Sequence, residues 1–168
     1  KTSIDCYEKR GKKGYCFIIG DERPYPTVSK SIISRLIGPE LESDFSTSAV
    51  FAELQEKYNT FFILPKGANH GKAVVELRAV WGEYINPEHV LALDDPNAAA
   101  ELIATQIGLC EGVTDLDSAS ADLAAHGTSQ ALVSVVRASV SKAYTGGEIA
   151  RVTPGTLAPT SSTPTKRL

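Results

Sequence analysis

The sequence of 168 residues predicts an α/β fold: a Rossmann-like parallel sheet flanked by helices, with a C-terminal helix and a disordered tail. Three observations predict it. Short continuous apolar runs at residues 15–19, 60–64 and 90–93 have the length of strands and the unbroken apolarity of strands buried on both faces. Segments with apolar residues at helical spacing separate them, which gives the alternation of βαβ units with right-handed crossovers. The composition, 42% hydrophobic and 22% charged, is that of a globular domain with a core to bury.

Each element follows from local signals. Residues 1–13 read as the end of a helix: Ile4, Tyr7 and Glu8 recur at helical spacing, and Lys9, Arg10, Lys12 and Lys13 oppose the dipole at its C-terminus before Gly14. The run 15–19, Tyr-Cys-Phe-Ile-Ile, reads as a central strand because neither face is polar. It stops at Gly20-Asp21-Glu22-Arg23-Pro24-Tyr25-Pro26, whose prolines cannot continue a ladder. A helix is predicted from near Thr27, with Val28, Ile32, Ile33 and Leu36 as its stripe, ending at Gly38-Pro39. Ser46, Thr47 and Ser48 offer caps for another, lined by Val50, Phe51, Leu54 and Tyr58.

The strand 60–64 is closed by Pro65 and a loop from Lys66 to Gly71, and Val74, Leu77, Val80, Trp81 and Tyr84 mark the next helix. After the strand 90–93, Asp94 and Asp95 supply N-cap carboxylates and Pro96 suits a first helical turn. The helix that follows, through Leu102, Ile103, Ile107 and Cys110, ends at Gly112. Beyond it, 115–123 is polar and small, 129–144 is helical with Leu132, Val133, Val136 and Val140 on one side, and 146–168 is rich in Pro, Thr and Ser with little to bury. The expected organisation is an α/β domain over 1–112, a helical extension over 113–145 and a disordered tail over 146–168.

Charge and cysteines narrow the setting. A net charge of −3 without a concentrated basic surface argues against nucleic acid as a partner. No apolar run approaches the roughly 20 residues that span a bilayer, which argues against a membrane protein. Cys6, Cys16 and Cys110 are odd in number and lack C-x-x-C spacing, so reduced thiols in the cytoplasm are expected rather than a disulfide framework. The sequence begins at Lys1 and contains no Met, which reads as a piece cut from a longer protein.

Ligands of open α/β sheets gather at the C-terminal ends of the strands. Here that rule selects Asp21-Glu22, the loop from Lys66 to Gly71, and Asp94-Asp95. Asp21 is the most informative, because a carboxylate leaves an apolar strand beside Gly20, where the backbone can turn tightly. So placed, it suits a hard divalent cation such as Mg²⁺, or it caps the loop or the following helix. The Lys66 loop is basic and contains glycine, but lacks the spacing of a phosphate loop, and reads as a surface loop bearing a solvent-facing His70. His89 and His126 have no partners of metal type nearby in sequence, and Trp81 with Tyr84 read as core.

The run 15–19 ending in Gly20-Asp21-Glu22, followed by a helix, strand 60–64, a helix, strand 90–93 and the helix through Ile107, resembles the C-terminal half of a von Willebrand factor type A (VWA) domain. The likeness is closest to the cytoplasmic bacterial and phage-encoded members. The resemblance implies a metal-ion-dependent adhesion site built from three loops, with Asp21 in the third-loop position and Glu22 a weaker ligand where the family commonly has Gly. It implies that the first two loops, one carrying Asp-x-Ser-x-Ser, lie upstream of Lys1. The only similar string here is the partial one from Asp115 to Ser118, which no strand precedes. The function so implied is a protein-binding module, Mg²⁺-dependent in the intact protein, that takes an acidic residue of a partner protein on the metal. The alternatives are a metal- or nucleotide-dependent α/β enzyme of hydrolase type, with Asp21 as ligand or general base, and a structural or assembly domain without a ligand.

Overall fold

In a computed structural model of the protein we describe residues 4–38, 43–67 and 74–143. The elements in order are α1 (Asp5–Arg10), β1 (Gly14–Ile19), β2 (Thr27–Val28), α2 (Lys30–Ile37), β3 (Phe45–Ser46), α3 (Thr47–Lys57), β4 (Tyr58–Pro65), α4 (Val74–Trp81), β5 (Val90–Leu93), α5 (Ala99–Cys110), α6 (Leu116–Ala125) and α7 (Gln130–Ala143). β1, β4 and β5 form a parallel sheet in that order, and β2 pairs antiparallel with β3 in a separate two-residue ladder. The fold is α/β and Rossmann-like, as the alternation of apolar runs and helical segments predicts.

The registers, Ile19 opposite Ile63 and Ile63 opposite Leu91, sort side chains by parity onto two faces. Phe61, Ile63, Leu91 and Leu93 point to one face and are covered by Leu102 of α5 and by Val136 and Val140 of α7. Phe62, Leu64 and Val90 point to the other, beneath Phe51 of α3 and Leu77 and Trp81 of α4. This division follows from topology. Two successive right-handed crossovers in one direction put α3 and α4 on the same face, so the opposite face is left to the helices after the last strand. Fully burying side chains of this size stabilises by roughly 1.5–3 kcal/mol each before conformational entropy is subtracted, so β4 with its two covers holds the domain together.

Several boundaries differ from expectation, each for a local reason. β1 is not a central strand: among the described residues it pairs only with β4 and forms an edge, half-buried along its length, with Ile19 52% exposed. The central strand is β4, buried from Thr60 to Leu64. α2 starts at Lys30 rather than near Thr27, because Thr27 and Val28 extend to pair with Ser46 and Phe45. Part of its apolar stripe stays wet, with Ile32 exposed and Leu36 72% exposed, while Ile33 is half-buried. Val50 is exposed on α3, and Tyr58 starts β4 instead of ending that helix.

Residues 116–125, which sequence reading left without an element, form α6, capped by the Asp115 carboxylate accepting from the Ser118 N–H at 2.7 Å. The partial Asp-x-Ser-x-Ser string is therefore a helix cap. Arg137 of α7 clips α6 down, donating to the Leu116 carbonyl, the Ser120 hydroxyl and the Asp117 carboxylate. α1 ends at Gly11, whose φ of +62° is the left-handed cap that glycine adopts without strain. The predicted disordered tail, and most of the Lys66 loop including His70, lie outside the described residues.

Candidate functional site

The C-terminal ends of the three parallel strands form a crest, and Asp21 stands at it as expected. The Gly20 N–H donates to the Ile63 carbonyl at 3.1 Å, continuing the ladder one residue past β1, and Asp21 follows half-buried with the Glu22 side chain exposed. The glycine does not serve the turn predicted of it. Its φ is not positive, and a Cβ there would meet the Phe62 ring at an ordinary 3.8 Å.

The loop after Asp21 is instead fixed from outside. The Trp81 indole N–H donates to the Glu22 carbonyl at 3.0 Å, and the indole is itself packed face to face on Phe62 with centroids 3.9 Å apart. Arg23 forms an ion pair with Glu76 of α4. At the other end of the loop the Thr47 hydroxyl donates to the Tyr25 carbonyl, and the Thr47 N–H to the Pro26 carbonyl at 3.0 Å. Four of five consecutive residues are thus tied to the starts and ends of α3 and α4. Between these ties the Tyr25 ring is 83% exposed. The loop thus presents an aromatic side chain to water beside two carboxylates, with its backbone hydrogen-bonded at both ends.

Sequence reading missed the residues that hold this loop. Trp81 does lie in the core as expected, at 7% exposed, but its polar edge reaches a loop 59 residues away in sequence. The signal available beforehand was Tyr25 itself, a large aromatic bracketed by Pro24 and Pro26 in a polar segment.

At the neighbouring strand ends, Lys66 after β4 and Asp94 after β5 form an ion pair, and the Lys66 N–H donates to the Leu93 carbonyl at 2.8 Å. Asp95 caps the turn that begins with Pro96 by accepting from the Asn97 N–H at 2.9 Å, as Pro96 foretold. Asp94 and Asp95 thus make separate contacts, one with Lys66 and one with the Asn97 N–H. Among the described residues no three His, Cys, Asp or Glu side chains come together as metal ligands. Asp21 and Glu22 would belong to a metal site only together with further ligands or waters.

His89 stacks on Phe61 with centroids 4.2 Å apart and its Nδ1 lies 2.9 Å from the Thr60 carbonyl, and burial pushes its pKa down. Burial, with the hydrogen bond to Glu111, pushes the Tyr15 phenol up. Cys6, Cys16 and Cys110 are free thiols, each partly buried, and burial raises the pKa of the latter two. No helix among the described residues is long and apolar enough to cross a membrane. The chain matches no protein-family model, no curated protein and no solved structure.

Proposed function

We propose that the protein is a VWA-like protein-binding module of the cytoplasm, which receives a protein partner at the crest formed by Asp21, Glu22 and Tyr25. The observation that carries this reading is the pinned loop: Trp81 and Thr47 hold its backbone, Glu76 pairs with the Arg23 side chain, and Tyr25 is left in water. Pre-ordering a loop removes the entropy that binding would otherwise cost, and aromatic side chains on rigid supports are the usual anchors of interfaces. The free thiols support a reducing compartment. Neither nucleic acid nor a lipid surface is the partner in this reading, since the net charge is −3.

Mg²⁺ belongs to the proposal only for a protein in which further oxygen ligands reach Asp21, which would then be a direct or water-mediated ligand. An enzyme would need a second group of catalytic type beside Asp21, and the strand-end groups Lys66 and Asp94 are engaged with each other.

Affinity capture with the wild type, Asp21→Ala and Tyr25→Ala, each with Mg²⁺ and with a chelator, tests the proposal. Proteins retained by the wild type should be lost by both variants. Equal retention by all three would remove the crest from any binding role, and retention indifferent to the chelator would remove the cation.

A further inference from the structure

A cleft of about 470 Å³ opens between α5 and α6, away from the crest and within the size range of small-molecule sites. Every residue lining it falls between Ala104 and Leu123, so its walls owe nothing to β1 or to the loop that follows β1. The connection 111–115 is short and folds α6 back antiparallel to α5. On α5 the residues Glu101, Ala104, Thr105 and Gly108 share the face turned toward α6. Gly108 lets the two segments touch, since an added Cβ there would lie 2.9 Å from the Thr114 methyl. Above it Ala104 and Ala119 have side chains too short to fill the space, and the cleft is what they leave.

The chemistry of this cleft is one-sided. Apolar surface comes from Ala104, Ala119 and Leu123, hydroxyls from Thr105 and Ser118, and a carboxylate from Asp122, while neither lysine nor arginine lines it. The Ser118 hydroxyl is engaged by Asp115 at 2.9 Å. Thr105 is 3% exposed, and its hydroxyl has no hydrogen-bond partner among the described residues, so the cleft it lines is where a partner can reach it. One turn earlier on the same face, Oε2 of Glu101 is buried, likewise with no partner among the described residues. With Gly108 beside Thr114, the antiparallel run sets Thr105 level with Ser118 and Glu101 level with Asp122, so both carboxylates stand at one end. Asp122 has His126, its neighbour one turn on, at 3.3 Å.

We propose that this cleft binds a small organic amine. Its ammonium group donates to the Asp122 carboxylate and the Thr105 hydroxyl, within the field of Glu101, and its short apolar body lies against Ala104, Ala119 and Leu123. The choice of ligand follows from what the lining lacks. A buried acceptor without a donor is costly, and a ligand that brings both N–H groups and positive charge relieves that cost at two acceptors at once. An anion would meet like charge at the carboxylate end, and a neutral apolar ligand would desolvate Asp122 and the Thr105 hydroxyl without answering either. The site stands whether or not the crest receives a partner, since the two share no residue.

Amide NMR spectra of the full chain, titrated with phenethylamine and separately with the uncharged phenethyl alcohol, test the site. The amine should shift amides within 101–123 and saturate with a Kd below about 1 mM, leaving those of residues 21–25 in place. The alcohol should bind about tenfold more weakly or worse. Asp122→Asn, at an exposed position where the fold tolerates the change, should weaken the amine about tenfold, and Thr105→Val, which removes only the hydroxyl's donor and acceptor, about threefold. Absence of saturable shifts, equal affinity for the alcohol, an amine affinity unchanged in Asp122→Asn, or the same shifts on adding Mg²⁺ alone would each overturn the proposal.

Discussion

β1 and β4 are close in composition and opposite in circumstance. Tyr-Cys-Phe-Ile-Ile in the first is, by a count of apolar residues, no less suited to burial than Thr-Phe-Phe-Ile-Leu in the second. Yet Phe61 through Leu64 are at most 1% exposed, whereas the same stretch of β1 is half-buried and ends with Ile19 largely in water. The difference lies in neighbours: β4 has a strand on each side and a helix layer on each face, and among the described residues β1 has a strand on one side only. Apolarity therefore reports that a strand can be buried, and topology decides whether it is.

The largest effect expected from this contrast is in the core. Phe61→Ala should cost about 3–5 kcal/mol, since the ring is inaccessible, stacks on both Phe17 and His89, and leaves a cavity. Phe17→Ala, at the half-buried end of the same stack, should cost roughly half as much. Denaturant unfolding of both variants measures the gap, and equal losses would mean that β1 is as enclosed as β4.

A smaller effect separates the loop at the end of β1 from the strand itself. Trp81→Phe keeps a ring on Phe62 but removes the donor to the Glu22 carbonyl, and should cost about 1 kcal/mol. Hydrogen exchange at residues 21–25 should accelerate in this variant while that of β4 stays slow. Uniform acceleration would show that Trp81 acts through the core alone.

The smallest effect is that of pH on the β4 side of the sheet. Burial lowers the His89 pKa in the folded state, so below the ordinary histidine value of about 6.5 the unfolded chain binds the proton more readily. The contribution is neutral above that pH, and stability falls as pH drops from there toward the folded pKa. His89→Gln should flatten this part of the stability profile, and an unchanged slope would assign it to another group.

How much of this was legible follows the range of the interactions involved. β4, β5, α5 and α7 were readable because apolar runs or stripes end at Pro65, Gly112 or capping aspartates, all local signals. The edge position of β1 was not, because the number of strands beside it is not written in its own residues. α6 escaped because its cap, Asp115 to Ser118, looks like part of a ligand motif while its stripe of Leu116, Ala119 and Leu123 is short and rich in small residues. The two-residue β2 and β3 are too brief to show alternation, which drew Thr27 and Val28 into the predicted helix. At the site, the position of Asp21 could be read from strand and loop alone. The indole that holds its loop could not, since that contact joins residues 59 apart and exists only once Trp81 has packed on Phe62.

The cover supplied by α7 has a consequence for how the protein is made. Synthesis runs from the N-terminus, so Phe61, Ile63, Leu91 and Leu93 leave the ribosome well before Val136 and Val140, the side chains that cap them. During that interval α5 alone covers this face, and the part that α7 seals is bare. A nascent chain stalled there would be a substrate for chaperones, and any premature stop before residue 130 would yield a product that has its sheet but not its lid.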